Sequence, residues 1–246
     1  MRIKKMDKSL SCICVLLIMA MSALMVFPVG KAWGATRDDE TESWKSRALK
    51  AEDELTKLRA TVETYKPKLP QPTPLTLDPK TTALLVLDLS NRCNDPAQVC
   101  NQLAPRIKDF LPKTRASKVF TVYTVSAGAK DTPQGKVWDN FGALPDEPVI
   151  TPDAIDKFFG GGELASLLQK RGIKTVIITG ASTNNAVLYT ATSAARMYKY
   201  NVVIPLDGVI AKNSYESEFP IYQFTVLASG ANERFSFTTL RDISFK

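Results

Sequence analysis

Apolar residues fall along this chain in three rhythms. From Trp44 they recur at Ala48, Ala51, Leu55, Leu58, Val62 and Tyr65, in steps that alternate four and three. That is a heptad seam over about three repeats and predicts an amphipathic helix over residues 36–66. The seam suits either a coiled coil between copies of the chain, and so a homo-oligomer, or a stripe packed on the chain's own domain. The helix must stop near Lys66, because "KPKLPQPTPLTLDPK" carries five prolines and reads as an extended linker over 67–80.

A second rhythm begins at residue 81. "TALLVLDL", "KVFTVYTV", "KTVIITG" and "NVVIPLDGV" are nearly continuous apolar runs, as expected of strands buried on both faces of a parallel sheet. Between them the spacing turns helical, from about Ala97 to Arg115, in "GELASLLQKRG", from about Thr183 to Tyr198 and near Tyr215 to Ser229. Residues from Ser126 to Pro148 are rich in Gly, Pro and Asp and read as loop, and "RFSFTTL" follows the last helix. Strands alternating with helices predict one α/β domain over 81–246, with a doubly wound, mainly parallel sheet. A ligand crevice is expected outside the carboxyl ends of its strands.

The third rhythm is an unbroken apolar run from Leu10 to Val29, preceded by Arg2, Lys4, Lys5 and Lys8 and followed by "KAWGA". Ala32 and Gly34 satisfy the small-x-small rule, so residues 1–34 read as a signal peptide cleaved after Gly34. The run is also long enough to stay as an anchor in the inner membrane, with its basic end in the cytoplasm. Either way the rest of the chain is exported, to the periplasm or beyond. Without the leader the formal charge falls from +7 to +3, and no basic run with interleaved aromatics remains to suggest nucleic-acid binding.

Composition then narrows the chemistry. Histidine is absent, which removes Ser-His-Asp and Cys-His catalysis and His-ligated metals together. No metal or cofactor is expected. Two of the four cysteines lie in the leader; Cys93 and Cys100, in "NRCNDPAQVC", predict a disulfide in an oxidising compartment and match no standard zinc spacing.

Two places can carry chemistry at the predicted crevice. Asp88 closes the first buried strand, where Leu85, Val86, Leu87 and Leu89 penalise its charge unless a cation sits nearby. It reads either as an acid/base carboxylate or as a loop cap. In "GASTNNAV" a glycine ends a strand, and Ser182, Thr183 or Asn184 can cap the helix that follows. The first helical amides there can face an anion or a developing oxyanion.

In order along the chain, "LLVLDLSN", a lysine shortly before "FFGGGELASLL", and "IKTVIITGASTNNAVLYTATSAARMYKYNVVIPLDGV" resemble the isochorismatase-like cysteine hydrolase superfamily. The resemblance covers about Thr81 to Asp207 and implies a Rossmann-like three-layer fold and hydrolysis of a small molecule. It places Asp88 as the family aspartate and Gly180 and Thr183 in the family turn. Ala186 falls where the nucleophilic cysteine stands in the family. Its lysine would fall near Asp153; Lys157 takes that role only if its loop carries it inward. The resemblance also implies a cis peptide at Ala181–Ser182, aiming the Ser182 and Ala186 amides at one point. Two functions stay open: a hydrolase working by Asp/Lys acid–base chemistry, as the resemblance implies from the branch of the superfamily that hydrolyses a vinyl ether without the cysteine, and a degenerate enzyme that binds a small molecule or serves as a scaffold.

Overall fold

The computed structural model describes residues 37–65, 68–159 and 162–246, so the leader lies outside the described residues. Among the described residues, no helix is long and apolar enough to cross a membrane. Two compact units divide at Tyr65. The first contains one helix, α1 (Arg37–Tyr65), on which Trp44, Leu55, Leu58 and Val62 of the seam are all exposed. Intrahelical pairs such as Lys57 with Asp53, at 2.6 Å, decorate it; exposed pairs of this kind add only about 0.3–0.5 kcal/mol each.

In the second unit the strands are β1 (Leu75–Leu77), β2 (Thr82–Leu87), β3 (Phe120–Thr124), β4 (Val149–Ile150), β5 (Thr175–Ala181), β6 (Asn201–Pro205), β7 (Val209–Ile210), β8 (Phe235–Thr238) and β9 (Ile243–Phe245). Six of them form a sheet in the order β4-β3-β2-β5-β6-β8, with β7 also pairing with β5, and every ladder is parallel. All six residues of β2 and all five of β3 are buried, as their unbroken apolar runs predict for central strands.

Alternate residues of each strand feed two cores. Ala83, Leu85 and Leu87 of β2 pack with Leu164 and Leu168 of α3 (Glu163–Lys170), with the small stripe Ala191, Ala194 and Ala195 of α4 (Leu188–Arg196), and with Phe224 of α5 (Ser214–Thr225). Leu84 and Val86 face the other way, onto Ile107, Phe110 and Leu111 of α2 (Ala104–Ala116). Each fully buried Leu or Phe contributes about 1.5–3 kcal/mol, so this two-sided packing is what fixes the sheet. At the α5 start Asn213 is the N-cap: its side chain accepts from Glu216 N at 2.9 Å and donates back to the Glu216 carboxylate at 2.8 Å.

The structure departs from the sequence reading in four places. The helix expected from about Ala97 begins at Ala104; short 3₁₀ turns at Asn91–Asn94 and Val99–Gln102 take up the preceding residues, where Pro96 interrupts and Pro105 is pre-set for a first helical turn. The predicted linker contains β1, which pairs with β9 in a sheet of its own. The Gly- and Pro-rich loop ends in the two-residue edge strand β4, too short for any periodicity to reveal. The run "NVVIPLDGV" is not one strand: β6 ends at Pro205, and a turn through Asp207 sends β7 across to β5.

That long loop is anchored by a partly buried cluster. The Arg115 guanidinium forks onto both Glu147 carboxylate oxygens at 2.8 Å and also donates to the Phe141 and Gly142 carbonyls. Burial alone would raise the Glu147 carboxyl, but its bonds from Arg115, the Leu144 amide and Tyr123 hold it below the usual carboxylate range.

Candidate active site

Register puts the site together. Leu87, the last residue of β2, pairs with Gly180 of β5, so the segments that leave these two central strands start side by side. Asp88 follows at φ 56°, a left-handed conformation that Asp tolerates better than most residues. Its amide donates to Thr124 O at 3.0 Å, and the Thr124 hydroxyl donates to Asp88 Oδ1, also at 3.0 Å. Only Oδ2 is left to face the cleft.

Lys157 takes that oxygen: its Nζ lies 2.8 Å from Asp88 Oδ2, with the two side chains 2% and 12% exposed respectively. The inward path comes from α4. The Thr190 hydroxyl accepts from Lys157 N at 3.1 Å, and the Ser193 hydroxyl donates to Asp156, whose other oxygen accepts from Phe158 N. Burial pushes the Asp156 carboxyl up from its ordinary range, against the lowering effect of these hydrogen bonds. Phe158, not Phe159, is the buried anchor, stacked on Tyr198 at 4.4 Å between ring centroids; Phe159 points into solvent.

The third part is the turn after β5. The Ala181–Ser182 peptide is cis, and Thr183–Val187 form a π-helical turn before α4 begins. Ser182 and Ala186 line a cleft of about 520 Å³ together with Asp88 and Lys157. Two expected ligand contacts do not reach it. Thr183 is wholly buried, its hydroxyl without a partner among the described residues, and the Asn184 side chain accepts from Ser182 Oγ. The π turn is wider than the α turn assumed from sequence, and Asn185 faces the cleft instead. Asp153, where the family spacing would put a lysine, and Arg92 complete the charged lining. Cys93 and Cys100 are joined in a disulfide and both buried, so neither offers a thiol to the site.

Residues 82–230, three-fifths of the chain, match the family model described as the isochorismatase domain. The chain belongs to the isochorismatase family. Solved structures share the family fold. An isochorismatase family protein from Burkholderia thailandensis is 23% identical, with a TM-score of 0.58, over 70% of this chain and 97% of that one. The nicotinamidase of Staphylococcus aureus is 22% identical, with a TM-score of 0.55, over 65% and 99%. An N-carbamoylsarcosine amidase from Thermoplasma acidophilum is 18% identical, with a TM-score of 0.55, over 65% and 96%. Identities this low establish the shared isochorismatase fold and not a substrate. A comparison with curated proteins finds no match.

Beyond Arg92 and Asn185 on the cleft lining, residues that support this isochorismatase-family site also lay outside the sequence reading. Thr124 orients Asp88, and Thr190 and Ser193, through Asp156, set the path of Lys157. The "YTATSAAR" stretch held the signal for the last two: Thr190 and Ser193 are three apart, hence on one helical face, and polar where the neighbouring alanines are core.

Proposed function

We propose that the protein is an exported hydrolase of a small molecule, working by Asp88/Lys157 acid–base chemistry without a covalent cysteine intermediate. The observation that carries this reading is the Lys157–Asp88 ion pair at 2.8 Å on the lining of an open cleft. Ala186, taken as the family's nucleophile position, supplies only a methyl group, which leaves no thiolate for an acyl-enzyme. A carboxylate beside a buried ammonium can still move protons. With an enol ether, the proton of the Lys157 ammonium passes by way of the Asp88 carboxylate to the terminal alkene carbon, leaving Lys157 as the free amine. Water adds to the resulting oxocarbenium ion, and the hemiketal releases an alcohol and a ketone, returning the proton to the pair. The amides of Ser182 and Ala186 would steady the oxygen.

The competing reading, a family member that binds without turnover, is motivated by the same Ala186. Hydrolysis of small amides and enol ethers by the parent, Asp88→Asn and Ala186→Cys proteins separates them. We expect turnover in the parent and a loss of about 10²–10⁴-fold in Asp88→Asn, the usual span of an acid–base group. Undiminished activity in Asp88→Asn would sink the mechanism. A silent parent with amidase activity gained by Ala186→Cys would favour the binding reading.

The leader-like residues 1–34 and the disulfide support export, and the exposed seam on α1 supports self-association. Native mass spectrometry of the protein recovered from the periplasm should show a chain starting at Ala35 in multiples of its mass. A cytoplasmic, full-length monomer would contradict both.

A further inference from the structure

We infer that the cleft takes a ligand bearing a carboxylate and that Arg92 holds that group, an inference that rests on reading the cleft as a ligand site. Four charged residues line it, and two of them, Asp88 and Lys157, neutralise one another. Arg92 is different: among the described residues its guanidinium has no hydrogen-bond or ion-pair partner.

An exposed arginine is usually just solvated, but the backbone under this one is clamped on both sides. Asn91 N donates to Lys136 O at 2.9 Å, its side chain reaches Asp139 at 3.0 Å, and Ser90 bridges to Val137. On the other side Cys93 N donates to Ser90 O at 2.8 Å, Cys93 O accepts from Asn101 at 2.9 Å, and the sulfur is tied to Cys100. An unpaired arginine on a fixed turn at the lining of the cleft can offer its planar donor fork to an oxyanion in bidentate fashion. Asp153, also without a partner among the described residues, is the remaining free charge on the lining. It disfavours a phosphate monoester, which carries nearly two negative charges at neutral pH, more than a carboxylate, which carries one.

Ligand-observed NMR on the full chain tests the inference with matched probes: succinamate against its methyl ester, 2-ethoxyacrylate against its ethyl ester, and inorganic phosphate. The acids should bind about tenfold more tightly than their esters, the scale of one charge-assisted fork. Arg92→Ala should reduce that preference to less than about twofold, and Arg92→Lys, a point charge without the fork, should keep part of it. Because the Arg92 side chain touches no described partner, both variants should melt with the parent. Equal binding of acid and ester, a preference that survives Arg92→Ala, or no binding of either pair overturns the inference; phosphate binding tighter than the acids overturns its carboxylate assignment. Turnover followed in the same samples keeps the two readings apart. Hydrolysis without acid preference would leave the enzyme and remove the Arg92 role, whereas acid preference without hydrolysis would do the reverse.

Discussion

Gly180→Ala is expected to cost more than about 4 kcal/mol of folding stability, enough to leave a domain of ordinary stability largely unfolded. A Cβ at this position would sit 2.2 Å from Leu87 O and 2.8 Å from Leu87 C and N. Those are backbone atoms of the neighbouring central strand, so no side-chain rotation relieves the clash. The φ of +130° adds strain that only glycine escapes. The control is Gly142→Ala, whose φ is +54° but whose added methyl meets nothing within 4 Å. It should cost only about 1–2 kcal/mol, the price of the left-handed backbone. Urea denaturation of both variants reads the difference directly. Similar midpoints would mean that β2 and β5 separate more easily than their fully paired register implies.

Lys157→Met carries the second large effect. The Lys157 side chain is 2% exposed and that of Asp88 12%, so removing the ammonium leaves a carboxylate that water reaches poorly. Breaking a buried pair from one side typically costs about 3–5 kcal/mol. In a domain of this size that lowers the melting temperature by roughly 10 °C or more. Methionine is chosen because it fills the lysine stem's volume, which keeps a cavity term out of the result. Asp88→Asn should also destabilise, since it leaves the buried ammonium with neutral acceptors only, Ala154 O at 3.3 Å among them. The double variant Lys157→Met/Asp88→Asn should be more stable than the sum of the singles, since it strands no charge. Additive losses, measured by thermal melts of all four proteins, would show that the pair is not coupled in solution.

How much of this was legible in the sequence depended on whether a signal was local. The buried strands β2, β3 and β5 read directly from their apolar runs, because a strand covered on both faces has no polar positions to disguise it. Asp88 and Gly180 were found for a related reason, being the first interruptions at the ends of such runs. What stayed hidden was non-local. Thr124 is a buried strand residue whose hydroxyl could as well have bonded its own backbone, and only the β2–β3 register brings it to Asp88. The path of Lys157 is set by hydroxyls more than thirty residues away, on a helix whose angle of approach no spacing encodes. The π turn had no signature either: one extra residue per turn moved Asn184 out of the cleft and Asn185 into it. Strands β1, β4 and β9, of two or three residues, are made by their partners rather than by their own composition.

The small β1–β9 ladder has a mechanical meaning. Leu75 pairs with Ile243 and Leu77 with Phe245, so the segment by which the chain enters its folded domain is laced to the segment by which it leaves. Thr73 N also donates to Phe237 O of β8 at 2.9 Å, so tension arriving through the proline-rich tether is shared between that edge strand and the three-rung clasp, of which Ile243–Phe245 form half. Cutting the tail back past Ile243 would unfasten the entry segment as well.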